Sequence, residues 1–277
     1  MDFRGKKVLV TGASSGIGRG AAVLFAKEGS DVIVTARDTA KLEEVKKDIE
    51  KLGRKALAVK CDVSIDESVF AMRDQALKAF GSVDVVINNA GTGIRGNLED
   101  VSLDDWRFMI NTNLMGQIRV VTAFLPHFEK RGSGYFCNVS SIQAMGYGME
   151  DLNIPYTTTK AGIIGFTEGI SSYLRQKGIK VSILIPGGVY TSIGGASRFV
   201  GSPERIAELR ERDSHMTEIP GFLTAEQCAS GMIEGMKKEQ YMIMTPARMA
   251  DILKAQGKGD VDAYNEFVKN WRPRVKM

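Results

Sequence analysis

The chain has 277 residues, a quarter of them charged, with 37 Lys and Arg against 33 Asp and Glu and a formal net charge of +4. That length holds one large α/β domain or two small ones, the ordinary hydrophobic content excludes a disordered chain, and so small a positive balance argues against nucleic acid as a partner. No apolar run approaches the ~20 residues of a membrane span, and Cys61, Cys137 and Cys228 have no paired spacing, so a soluble protein of the reducing cytoplasm is expected.

From the N-terminus, short runs rich in Val, Ile and Leu alternate with longer helical patterns. Strands are expected at 7–11 (KVLVT), 31–36 (DVIVTA), 55–61 (KALAVKC), 83–88 (VDVVIN), 135–140 (YFCNVS), 180–185 (KVSILI) and 241–244 (YMIM). Near-continuous apolar strands are covered on both faces. The pattern therefore predicts an α/β fold with a doubly wound, parallel, seven-stranded Rossmann sheet and helices on both sides. No linker or repeat interrupts the alternation, so residues 1–277 read as a single domain. Two regions depart from it: 187–222, a long excursion with one helical pattern at 203–212, reads as a substrate lid, and 246–277 as a helical, Lys- and Arg-rich C-terminal extension.

The first strand runs into "TGASSGIG", residues 11–18. Gly12, Gly16 and Gly18 let the backbone turn sharply and approach a ligand, while the helix behind offers its N–H groups and dipole to a pyrophosphate. The spacing differs from the G-x-G-x-x-G fingerprint, but strand, turn and helix together point to a dinucleotide. At the end of the second strand, "VIVTARD", Ala36 stands where an acid would bind the ribose 2′-hydroxyl of NAD(H), and Arg37 follows, suited to a 2′-phosphate. NADP(H) is the preferred cofactor; Asp38 leaves NAD(H) open, and a surface pair of Arg37 with Asp38 is the plainer alternative.

Further along, Tyr156 and Lys160 in "YTTTK" lie one helical turn apart. A free tyrosine titrates near 10. An ammonium about 4 Å away, worth roughly 4 kcal/mol at an effective dielectric near 20, would bring it toward about 7, where it serves as a general acid or base. On spacing alone the pair is ordinary helix surface.

These motifs, with "CDVS" (61–64), "NNAG" (88–91), "NTNLMG" (111–116), "NVSS" (138–141) and "PGGVYT" (186–191), make the sequence resemble the short-chain dehydrogenases/reductases up to about residue 245. The resemblance implies an oxidoreductase that interconverts a ketone or aldehyde with an alcohol. It makes Tyr156 the general acid/base, Lys160 its partner, Ser141 the hydroxyl that orients the substrate oxygen, with Ser140 as competitor, and Asn113 the residue that bends its helix and holds a water. It places Gly12, Ser14, Ser15, Gly16, Ile17 and Gly18 at the phosphates, Asp62 and Val63 at the adenine, and Asn89, Ala90 and Gly91 along the ribose. Pro186, Gly187, Val189 and Thr191 fall at the nicotinamide end, and Tyr156 and Lys160 also face the cofactor. A homodimer or homotetramer is implied, the dimer pairing the helices at about 103–129 and 156–177. A nucleotide-sensing regulator without chemistry is the rival reading, but it does not require Tyr156, Lys160 and Ser141.

Between Ser141 and Tyr156 the chain is two residues longer than the family's usual spacing. Residues 146–153 are expected to bulge, bringing Tyr147, Met149, Glu150 or Asp151 to the substrate or leaving them as surface loop. Ile193, Phe199, Met216, Ile219 and Phe222 either line an apolar pocket or anchor the lid, and lean toward a hydrophobic or aromatic substrate. His127 reads as structural and His215 as a lid residue; neither has metal-site spacing, and no metal is expected.

Overall fold

The computed structural model describes residues 1–145, 153–191, 197–214 and 222–247. Its strands are β1 (Lys7–Thr11), β2 (Asp31–Ala36), β3 (Ala56–Lys60), β4 (Val85–Asn88), β5 (Ile94–Arg95), β6 (Gly134–Val139), β7 (Ile179–Pro186), β8 (Val189–Tyr190), β9 (Arg198–Phe199), β10 (Leu223–Thr224) and β11 (Met242–Thr245). The helices are α1 (Gly16–Lys27), α2 (Thr39–Glu50), α3 (Asp66–Phe80), α4 (Leu103–Met109), α5 (Gly116–Arg131), α6 (Ile154–Arg175), α7 (Pro203–Ser214) and α8 (Ala225–Lys237). A π-helical segment, Ile110–Met115, joins α4 to α5. The expected extension from 248 onward lies outside the described residues.

All seven expected strands pair in one parallel sheet of order β11-β7-β6-β4-β1-β2-β3. The order reverses at β1 and β4, so the crevice beyond their carboxyl ends is the switch point where such sheets bind ligands. Alternate residues along each strand serve opposite cores. Val8, Val10, Val32, Val34, Val85 and Ile87 pack with α1, α2 and α8, while Leu9, Ile33, Val86 and Phe136 pack with α3 and α5. Burial on both faces is why these strands read as unbroken apolar runs.

Helix starts follow from side-chain caps. Asp38 accepts from the Lys41 amide to open α2, and Ser102 with Asp105 forms a capping box at α4. On the α5 side, fully buried Phe128 stacks between Phe124 and Phe136, its ring centre 4.8 Å from that of Phe136. Truncating such a ring costs about 3–5 kcal/mol, so this cluster fixes α5 on the sheet.

The three cysteines are free and buried, as small hydrophobes are. Burial pushes the thiols of Cys61 and Cys228 up to about 11 and that of Cys137 to about 12. Among the described residues no helix is long and apolar enough to cross a membrane, and no cluster of side chains could hold a metal ion.

Candidate active site

At the end of β1, Gly12 and Gly16 take positive φ of 65° and 52°, and Gly18 is packed so tightly that a Cβ there would meet the Gly12 carbonyl oxygen at 2.3 Å. The turn is braced from β4. Thr11 Oγ1 accepts from the backbone amides of Asn89 and Ala90, both at 3.0 Å, and Asn89 Nδ2 donates to the Thr11 carbonyl at 2.9 Å. Ser15 precedes α1 in extended conformation without a side-chain cap, and no acid occupies the first turn. That helix end is therefore open to an anion. Ser14, Ile17 and Gly16 keep partial exposure around it, and Thr191 closes in from the far side, its Cβ 3.3 Å from where a Gly16 Cβ would stand. A pyrophosphate fits this cradle, in which side chains would occupy the space the glycines leave.

Beyond β2 and β3 the crevice is polar. Asp62 Oδ1 accepts from the Ser64 amide and hydroxyl at 2.9 and 2.7 Å. Partial burial works to raise its carboxyl, but the Ser64 bonds and the nearby Arg37 charge outweigh it and hold Asp62 below its ordinary value. Val63 is buried beside it. Arg37 is exposed and makes no hydrogen bond or ion pair among the described residues, whereas Asp38 is engaged by Lys41 as cap and at 3.7 Å as ion pair. The surface pair of Arg37 with Asp38 is therefore not formed. At the opposite end of the crevice Pro186 finishes β7, the Gly187 amide donates to the Thr245 carbonyl at 2.8 Å, and Val189 pairs with Leu223.

Tyr156 and Lys160 lie on α6, which Pro155 helps to start. Lys160 is 3% exposed and its Nζ donates to the Val139 carbonyl at 2.9 Å. It lies 5.4 Å from the centre of the Tyr156 ring and 3.5 Å from where a Gly91 Cβ would stand. Buried Asn113, on the π-helical segment, accepts from the Thr92 amide and donates to the Thr92 carbonyl, each at 2.9 Å, and to Thr159 Oγ1 at 3.2 Å. Both amide donors are engaged, so this side chain ties β4's outgoing loop to α6, and its amide N–H groups are not left for a water. The serine doublet divides its work: Ser140 Oγ donates to the Lys160 carbonyl at 2.8 Å, and Ser141 Oγ accepts from the Gln143 amide at 3.2 Å while acting as a hydrogen-bond partner of the Tyr156 phenol.

One expectation is reversed. Burial pushes the Tyr156 phenol above its ordinary value; the Ser141 hydroxyl and the charge of Arg95 oppose that, but they do not overcome it. Lys160 is itself brought down to about 8 by burial. Spacing supplied a neighbouring charge but not the cost of taking both groups out of water, and that burial is the first cause of the displacement at each of them. Arg95, on β5, was not singled out by sequence. Its signal was its place on the segment leaving the carboxyl end of β4, where ligands bind in such sheets.

The remaining sequence candidates sort differently. His127 is structural: its ring nitrogen lies 3.2 Å from the Val83 backbone, and burial above all lowers its pKa. Phe222 packs on Tyr190 at 5.5 Å and Phe199 lies under Arg210 at 5.4 Å, both contacts within the excursion itself. Tyr147, Met149, Glu150, Asp151, Ile193, His215, Met216 and Ile219 lie outside the described residues.

The family model for short chain dehydrogenase matches residues 6–198. Glucose 1-dehydrogenase 2 of Bacillus subtilis is 36% identical over 193 residues, 69% of this chain and 74% of that protein, and an uncharacterized oxidoreductase of Staphylococcus aureus is 34% identical over 207 residues, 73% and 88%. A short chain dehydrogenase/reductase from Burkholderia phymatum in complex with NAD superposes with a TM-score of 0.84 at 25% identity, covering 100% of this chain and 99% of that one. An alcohol dehydrogenase from Thermococcus sibiricus complexed with 5-hydroxy-NADP does so with 0.71 at 27%, covering 86% and 95%. By its motifs, sheet order and these matches, the chain belongs to the short-chain dehydrogenase/reductase family of oxidoreductases.

Proposed function

We propose that the protein is an NADP(H)-preferring, cytoplasmic enzyme that interconverts a ketone or aldehyde with an alcohol, Tyr156 acting as general acid/base. The observation that carries this reading is the meeting of Tyr156, Ser141, Lys160 and Asn113 at the carboxyl ends of β4 and β6, beside an open phosphate turn. When bound, the nicotinamide supplies the hydride to the carbonyl carbon or accepts it from the alcohol. In reduction Tyr156 gives its phenolic proton to the carbonyl oxygen; in oxidation it takes the alcohol proton back. Ser141 holds that oxygen, and the Lys160 ammonium, fixed on the Val139 carbonyl, favours the phenolate left behind.

The preference for NADP(H) is supported by the unengaged Arg37 guanidinium beside Asp62; NAD(H) remains the second cofactor. A hydrophobic or aromatic substrate body is carried over from the apolar residues of the excursion. Exposed Leu103, Ile110 and Met115 on the α4–α5 rod and Ile154 and Tyr173 on α6 support a homodimer or homotetramer through those helices. The test is nicotinamide consumption over a panel of aliphatic, aromatic and acyl ketones. Wild type oxidises NADPH with at least one of them, and Tyr156→Phe loses on the order of 10²-fold or more in kcat; equal turnover by the variant overturns the assignment.

A further inference from the structure

Arg95 leaves the carboxyl end of β4 three residues after Thr92, which clasps Asn113, and pairs through β5 with Phe199 of β9. With the Asn153 amide oriented so that its nitrogen donates to the Ile94 carbonyl, its oxygen accepts from Arg95 Nη1 at 3.1 Å. Asn153 is buried and stands three residues before Tyr156. The guanidinium charge also reaches the Tyr156 phenol. On the proposed role of Tyr156, a substrate held at the phenol lies within reach of that charge.

The partner of Arg95 is Asp213 of α7, and the two fit poorly. Nε stands 3.4 Å from Asp213 Oδ1, with the side chains only 18% and 19% exposed. Arg95 Nε and Asp213 Oδ2 are both buried without a hydrogen-bond partner among the described residues. Other partly buried pairs in the same molecule close fully: Arg54 to Asp31 at 2.7 Å and Arg131 to Asp84 at 2.6 Å. A buried ion pair compensates its desolvation only with good geometry, and an arginine fork is shaped for two parallel bonds to one carboxylate. This one is left half used.

We infer that Arg95 anchors an acidic group of the substrate, a carboxylate held by the fork, and that Asp213 keeps the guanidinium company in the ligand-free protein. The inference rests on the carbonyl-reducing role of Tyr156 and adds the substrate class: an oxo acid, or the matching hydroxy acid, whose carbonyl reaches Tyr156 and Ser141 while its carboxylate meets Arg95.

The experiment uses oxo acids with alkyl or aryl bodies, each paired with its methyl ester, with NADPH and with NADH. Wild type favours the acids over the esters by at least about tenfold in kcat/KM. Arg95→Met abolishes that preference by raising KM for the acids several-fold more than for the esters. Asp213→Asn, which removes the competing carboxylate, lowers KM for the acids. Arg95→Lys, which keeps the charge and loses the fork, falls between and serves if Arg95→Met does not fold. A second arm needs no turnover: benzoate raises the melting temperature of NADP⁺-loaded wild type, less that of Arg95→Lys, and not that of Arg95→Met. Equal use of acid and ester by wild type, equal loss of both in Arg95→Met, weaker acid binding in Asp213→Asn, or no benzoate shift in wild type overturns the inference. If neutral ketones turn over without acid preference, only this inference fails; if no carbonyl turns over, the hydride-transfer reading fails and the oxo-acid class with it, while the benzoate arm still decides whether Arg95 anchors a carboxylate.

Discussion

At the β1 end of the crevice the pocket is made of backbone, shaped by glycines, braced by Thr11 and Asn89 and almost free of charged side chains, whereas at the α6 end it is made of side chains whose charges have been taken out of water. The first arrangement is cheap to maintain and tolerates little change of shape. The second is costly in stability, because a buried ammonium and a half-matched guanidinium return less than their desolvation, and it is the part to which the proposed function assigns the reaction and the substrate.

Substitutions on each side would separate the two regimes. The largest effect is expected at Gly18→Ala, whose Cβ would stand 2.3 Å from the Gly12 oxygen and 2.5 Å from Asn89 Nδ2. Neither neighbour can retreat, so stability falls by about 3 kcal/mol and cofactor affinity by on the order of a hundredfold. Thermal unfolding and a fluorescence titration with NADPH read both, and unaltered binding would break the view of a backbone-made pocket.

Lys160→Met should act in the opposite sense on stability. A fall from 10.5 to about 8 amounts to about 3 kcal/mol of disfavoured charge, and losing the bond to the Val139 carbonyl returns about 1 kcal/mol of that. The variant is therefore expected to be inactive but more stable at pH 7, by about 2 kcal/mol. Between pH 8 and 10.5 native Lys160 has released its proton and unfolded Lys160 has not, so this contribution to wild-type stability rises with pH and the gap closes over that window. A variant that is less stable at neutral pH would show the buried charge to be a net support.

The smallest effect belongs to Arg37→Ala. Affinity for NADP(H) drops roughly tenfold, the worth of one charge-assisted contact, and that for NAD(H) stays as it was. Equal loss for both cofactors in the same titration removes Arg37 from the choice between them.

The same contrast explains what the sequence made legible. The strands, the sheet class and the turn at Gly12, Gly16 and Gly18 follow from local rules, since two-sided burial imposes unbroken apolar runs and a tight turn imposes glycine. The choice between Ser140 and Ser141, the upward displacement of Tyr156 and the engagement of both Asn113 donors depend on which groups meet across the sheet. No spacing encodes those. Arg95 carried least signal of all, a single basic residue in "GTGIRG", because its meaning comes from Asn153 and Asp213, 58 and 118 positions further along.

The π-helical segment has a geometric consequence of its own. Across Ile110–Met115 the α4–α5 rod carries its hydrogen bonds one residue wider than a regular helix, which offsets everything on one side of it by about 100° relative to the other. Asn113 is held inward at that offset while Ile110 and Met115, each 38% exposed, look outward from the same six residues. Removing one residue there would restore an ordinary helix and swing the amide away from Thr92 and Thr159. Position in this rod is thus counted in rotation rather than in length, and a neutral-looking deletion would disconnect the loop after β4 from α6 without touching either.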